Sequence, residues 1–184
     1  MDSILIQTEG SSMSFIDRDG FLVYSISNTY NRQDSRWLST IQRLNNSEDS
    51  EKPSVVLASV LYIGYSTTTV DFQCRSLDLD TFLPRQNSHS NSRVFIGPDG
   101  QAYVWNIDGR NLELRHVDSH TLIARSHPHK EPTLFSPKPR PAFIELLPEY
   151  GLDSDNPQML DAIIITYSIM QRKLNERRQY RFPC

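Results

Sequence analysis

The chain has 184 residues, of which 38% are hydrophobic and 22% charged, with a formal net charge of −3. That length makes one domain, 1–184, the expectation, and the acidic balance removes the global basic field that nucleic acid recruits. Two cysteines, Cys74 and the terminal Cys184, exclude a disulfide framework and fit a reduced, intracellular setting.

From Met1 to Gly10 there is no basic stretch and no long apolar run, so no secretory signal is visible. Residues 1–12 are expected to form a loose arm, or a short edge strand over Ile4–Gln7. Met13–Asp17 and Phe21–Ile26 flank Arg18-Asp19-Gly20, a hairpin signal. Trp37, Leu38 and Ile41 predict a further strand, and Asn45–Pro53 a solvated loop. Val55–Ile63 and Thr67–Phe72 predict two strands, or one bent strand with a bulge at Gly64. Cys74 follows on this strand pattern as a small buried hydrophobe. Leu77, Leu79, Phe82 and Leu83 fit a short strand or a helical turn, which Pro84 ends. Arg85–Ser92 is polar and of low complexity, the composition of a mobile loop.

The next forty residues carry the clearest β pattern. Arg93–Ile96 and Ala102–Trp105 enclose Gly97-Pro98-Asp99-Gly100, and Asp108-Gly109 marks a second hairpin. Leu112, Leu114 and His116 alternate on one face, Asp118-Ser119 turns the chain, and Thr121–Arg125 returns it. Pro128–Pro141 holds five prolines and reads as a loop or extended crossing; Phe143–Pro148 is a last strand. The total is nine or ten short strands.

Pro157–Arg178 is the organising stretch. Asn156 suits an N-cap, and Pro157 the first helical position. Ile163, Ile164 and Ile165 are consecutive, so on a helix they point in three directions, and Ile169 extends the face that Ile165 begins. A helix apolar nearly all round is buried nearly all round. A membrane span needs about 20 apolar residues, and the apolar part here runs only from Met159 to Met170 and contains Asp161. These patterns together predict a mainly β fold: an antiparallel closed or strongly curled barrel around a hydrophobic C-terminal helix.

Three motifs carry a resemblance. Arg93 to Trp105 resembles the central signature of a domain family of mushroom-forming fungi, domain of unknown function 6593. Leu122–His127 resembles the strand after it. Met159–Tyr167, closing on Glu176-Arg177-Arg178, resembles its C-terminal helix. The likeness spans Phe15–Arg178 and implies a fungal origin. The architecture is similar to the tubby C-terminal-like fold of tubby domains, phospholipid scramblases and LURP-one-related proteins. Tubby domains bind phosphoinositides through basic surface residues, and none of those positions is matched here.

Candidate chemistry is thin. His127 and His129 are two apart, yet a zinc site needs three or four ligands and no third is evident; His116 and His120 have the same weakness. There is no Gly-x-Ser-x-Gly elbow, no P-loop and no Gly-x-Gly-x-x-Gly, so no catalytic residue and no cofactor is assigned. Trp105, Tyr103 and Tyr167 fit core packing better than a stacking platform. Lys138 and Arg140 in the Pro-rich crossing, with Arg172, Lys173, Arg177, Arg178 and Arg181 at the chain end, form the basic feature of the chain. Against a solvated helix end complementing its dipole stands an anionic phospholipid surface, at about 1 kcal/mol per basic side chain. The first reading is thus a non-enzymatic binding module, cytoplasmic or at a membrane periphery, meeting anionic phospholipid. The alternatives are a protein-interaction scaffold using Asn45–Pro53 and Arg85–Ser92, and a small-molecule or carbohydrate binder near Trp105.

Overall fold

A computed structural model describes residues 3–8, 12–17, 19–44, 54–63, 67–132, 138–150 and 156–181. The chain forms two compact units: a strand unit, Ile4–Phe82 with His129–Ile144, and a helix-bearing unit, Leu83–Pro128 and Glu145–Cys184 with Met1–Ser3. The predicted loop Asn45–Pro53, the Gly64 bulge and Cys184 lie outside the described residues.

In the strand unit seven strands pair antiparallel in chain order: β1 (Ser3–Thr8), β2 (Ser12–Ile16), β3 (Leu22–Asn31), β4 (Arg36–Arg43), β5 (Val55–Ile63), β6 (Thr67–Phe72) and β7 (Arg75–Asp78). The pleat sends alternate side chains to opposite faces, and one face is the core: Phe15, Tyr24, Ile26, Ile41, Ala58, Val60 and Val70 are all buried. Asp19-Gly20 makes the β2–β3 turn as expected. Asp17 Oδ1 accepts from the Asp19 and Phe21 amides at 3.0 and 2.8 Å, and Gly20 takes a φ of 88°. The N-terminal strand is neither a loose arm nor an edge. β2 flanks it on one side, and on the other its Gln7 amide donates to the Ala142 carbonyl at 2.8 Å.

Cys74 departs from the expectation of a buried strand residue. Phe72 pairs with Arg75, so Gln73 and Cys74 are the two central residues of a tight hairpin, with φ of 50° and 60°, and the thiol is exposed. Glycine and asparagine usually occupy this left-handed geometry, and neither is present to announce it. The ambiguous stretch after it resolves into both alternatives: β7, then α1 (Leu79–Phe82). Asp78 caps α1, accepting from the Asp80 and Thr81 amides at 2.8 and 3.1 Å and from the Thr81 hydroxyl. The Thr81 hydrogen bonds hold its carboxyl below the usual range.

In the helix-bearing unit β8 (Arg93–Ile96), β9 (Ala102–Asp108), β10 (Asn111–His116) and β11 (Leu122–His127) form the predicted meander. β12 (Phe143–Leu146) and a 3-10 turn (Pro148–Tyr150) lead to α2 (Pro157–Arg181). Within β11 an irregularity follows Leu114↔Ala124, so Arg115 pairs with Leu122 and Ile123 is the extra residue. Both Ile123 and Ala124 are buried there, and the bulge restores the alternation beyond them. Asn156 is the N-cap of α2, its Oδ1 accepting from the Met159 amide at 3.2 Å. Met159, Leu160, Ile163, Ile164, Ile165, Thr166, Tyr167, Ile169, Met170 and Leu174 are all buried, which is the all-round burial the sequence demands. Gly97 admits the helix closely. A methyl group added there would lie 2.8 Å from Tyr103 Cε2 and 3.2 Å from Met159 Sδ.

The mainly antiparallel β fold with a C-terminal helix holds; closure into a barrel does not. Strand order is linear in each unit, ending at β7 in one and at β8 in the other, and neither ladder returns on itself. Edges can be protected without closure. The four-residue β8 is short, and its Val94 amide donates to the Pro84 carbonyl at 2.8 Å. Arg85–Ser92 is also more structured than a low-complexity loop: Gln86 N donates to Ser92 O at 3.0 Å, and Ser92 Oγ to Asn106 Oδ1 at 2.7 Å.

Candidate functional site

The basic residues singled out from sequence fall in both units. Lys138 and Arg140 belong to the strand unit and are exposed; Arg140 exchanges two backbone hydrogen bonds with Lys130, at 3.0 and 3.1 Å. In the helix-bearing unit Arg172 and Lys173 share one acid: Arg172 Nε lies 3.1 Å and Lys173 Nζ 3.4 Å from opposite oxygens of Glu176. Arg177 is half-buried, and the side chains of Arg178 and Arg181 are outside the described residues.

Trp105, Tyr103 and Tyr167 are core residues, which removes a ligand platform at Trp105. The indole of Trp105 is fully buried and donates from Nε1 to Thr166 Oγ1 at 2.9 Å, while Thr166 donates onward to the Ala162 carbonyl at 2.8 Å. Tyr103 stacks on Phe95 and meets the edge of His116, and its hydroxyl donates to Asp99 Oδ2 at 2.5 Å. Burial, reinforced by that hydrogen bond, pushes the Tyr103 phenol well above its ordinary range; burial alone does the same to Tyr167.

His127 and His129 each have a carboxylate of their own. His127 Nε2 lies 2.9 Å from Glu145 Oε2, and His129 Nε2 lies 3.3 Å from Glu131 Oε1. Among the described residues no group of three or more histidine, cysteine or acidic side chains is placed to hold a metal.

Sequence reasoning missed two clusters. On β10 and β11 Glu113 is gripped from both sides. Arg115 donates to its Oε2 through Nε at 3.2 Å and Nη2 at 2.8 Å, and Arg125 donates to Oε1 through Nε at 3.0 Å. The Arg115 hydrogen bonds, then the burial that opposes them, then the charge of Arg125 leave the Glu113 carboxyl below the usual glutamate range. Its charged form is therefore favoured by folding. The resulting stability is present above the ordinary glutamate value of about 4.3 and is lost as pH falls through the depressed folded value. Both arginines are over a third exposed, so solvent screening leaves on the order of 1 kcal/mol. Glu113→Gln should lower urea-unfolding stability by about that much at pH 7, with the gap closing in strong acid. An equal gap at both pH values would detach the effect from this carboxylate.

The second cluster lies at the tip of the β3–β4 hairpin. Tyr30 and Trp37 sit opposite each other and remain 43% and 40% exposed. No alternation pattern marked them, because Trp37 shares its face with buried Ile41 and reads as core.

A family model described as "Family of unknown function (DUF6593)" matches residues 7–176, and the chain belongs to that family. No curated protein matches. Among solved structures the chain is similar to a protein from Arabidopsis thaliana, at 11% identity over 95% of this chain and 91% of that one. The TM-score is 0.35, and at that value the likeness carries no argument.

Proposed function

We propose that this member of the family is a non-enzymatic binding module that meets anionic phospholipid headgroups at an intracellular membrane surface. The supporting observation is the charge of the last turns of α2. From Arg172 to Arg181 five cations, Arg172, Lys173, Arg177, Arg178 and Arg181, face a single acid, Glu176, in a chain whose net charge is −3. Arg172 and Lys173 divide the Glu176 carboxylate between them. Near an anionic leaflet each basic side chain contributes about 1 kcal/mol, so a cluster of several is enough for reversible association. Exposed Lys138 and Arg140 are assigned to the same role. The fungal origin and the tubby-like likeness belong to this proposal too, the second as an analogy of ligand class only.

Co-sedimentation with vesicles tests it. Wild-type protein should pellet with vesicles containing phosphatidylserine or phosphoinositide, more at low than at moderate salt, since surface charge is screened within about 10 Å at 0.1 M. Neutralising Arg172, Lys173, Arg177 and Arg178 together should remove that binding. Absence of wild-type binding to any vesicle would sink the reading and favour a protein-interaction scaffold, for which the hydrogen-bonded Arg85–Ser92 loop offers a fixed surface.

A further inference from the structure

Two of the cations assigned above to anionic headgroups already touch an acid of their own helix. Arg172 Nε donates to Glu176 Oε1 at 3.1 Å, and Lys173 Nζ to Glu176 Oε2 at 3.4 Å. Helical spacing builds the contact. Glu176 is four residues beyond Arg172 and three beyond Lys173, and at about 100° per residue it falls between them around the axis. The side chains of Arg172, Lys173 and Glu176 are 27%, 29% and 36% exposed, so the cluster opens to water where an anion can reach it.

The carboxylate stands where a headgroup anion would stand, with one oxygen on each cation. It offsets one of the two positive charges. It is also tethered one helical turn away, so it is present at high effective concentration before any ligand arrives. The contact is nevertheless weak enough to open. Partly exposed ion pairs at this spacing add little to stability, and an array of lipid headgroups sets many anions against one. The outcome is an equilibrium between a closed pair and open cations. When only the open fraction binds, apparent affinity falls in proportion to that fraction. A closed pair therefore raises the surface charge that a membrane must carry before the protein stays on it.

We infer that Glu176 is an autoinhibitory counter-ion, which competes with anionic phospholipid headgroups for Arg172 and Lys173 and sets the lipid charge at which the end of α2 engages a membrane. This rests on the phospholipid reading, and adds to it a threshold and the residue that sets it.

Co-sedimentation of the full chain and its variants with phosphatidylcholine vesicles containing graded phosphatidylserine tests it. Glu176→Gln keeps the size of the side chain and removes its charge. It should bind about fivefold more tightly and reach half-binding at a lower phosphatidylserine content. Asp118→Asn changes the net charge equally, at an exposed turn of the same unit, and should change binding much less. The sharper readout is the coupling with Lys173. In wild type, Lys173→Gln removes a cation that Glu176 already holds, and should weaken binding by less than about twofold. In the Glu176→Gln background the same change should weaken it about fivefold. Matching helicity and thermal melts establish that the variants fold. Binding by Glu176→Gln but not by wild type would support the inference as complete closure. Additive effects of Glu176→Gln and Lys173→Gln would overturn it and leave the phospholipid reading standing, as would equal gains from Glu176→Gln and Asp118→Asn. No binding of any of these proteins to any vesicle would overturn both.

Discussion

Trp105→Ala is expected to lower stability by about 3–5 kcal/mol, against a total that is typically 5–15 kcal/mol for a folded protein. The indole is fully buried and lies 5.9 Å, ring to ring, from Tyr167, so its removal opens a cavity against α2. A second component comes from its single polar atom. The Nε1 hydrogen goes to Thr166 Oγ1, and Thr166 spends its own hydrogen on the Ala162 carbonyl, one turn back. Thr166→Val keeps the volume but strands the indole N–H in the core, at about 1–3 kcal/mol. Trp105→Phe removes that donor, so the double variant Trp105→Phe/Thr166→Val should be less damaging than the sum of its parts. Urea unfolding of the four proteins measures the coupling. Strict additivity would mean that the hydrogen bond contributes nothing beyond packing.

The helix and the meander were legible because their determinants are local and strong. Consecutive isoleucines announce burial in several directions, Asn156-Pro157 announces the start of α2, and Gly97 to Gly100 announces a turn. The N-terminal strand was misplaced because Ile4–Gln7 is too short to show which neighbours it will gain. Barrel closure was overdrawn for a different reason. Strand count and a buried helix constrain the core, but they do not fix how a sheet edge is satisfied, and here the Pro84 carbonyl takes the Val94 amide. The Gln73-Cys74 turn was invisible because register forces positive φ onto residues that do not advertise it.

The site was less legible than the fold. Charges at the end of α2 can be counted from sequence, but that Arg172 and Lys173 share Glu176 needs side-chain geometry. Glu113, Arg115 and Arg125 are dispersed in the chain until the β10–β11 register brings them together. Trp105 and Trp37 show the limit most directly. Both sit in strands among apolar neighbours, yet one is fully buried and the other 40% exposed. The difference is position along the strand: Trp37 lies beside the turn of its hairpin, beyond the reach of the core.

Ile163→Ala, Ile164→Ala and Ile165→Ala should each cost about 2–5 kcal/mol. On an amphipathic surface helix this could not be so. Successive residues are 100° apart on a helix of 3.6 residues per turn, so three in a row sweep 200°, and an apolar stripe commonly spans little more than 100°. At least one of the three would then reach water, and truncating it would change stability by no more than about 0.5 kcal/mol. In α2 all three are fully buried, as is Ile169, four residues beyond Ile165. Ile169→Ala should therefore match Ile165→Ala, while Asn175→Ala, exposed on the last turns, should be close to neutral. Denaturant midpoints at a common slope provide the comparison. One near-neutral isoleucine among the three would show that α2 has a solvent face at that position, and would remove the physical reason for three consecutive isoleucines in it.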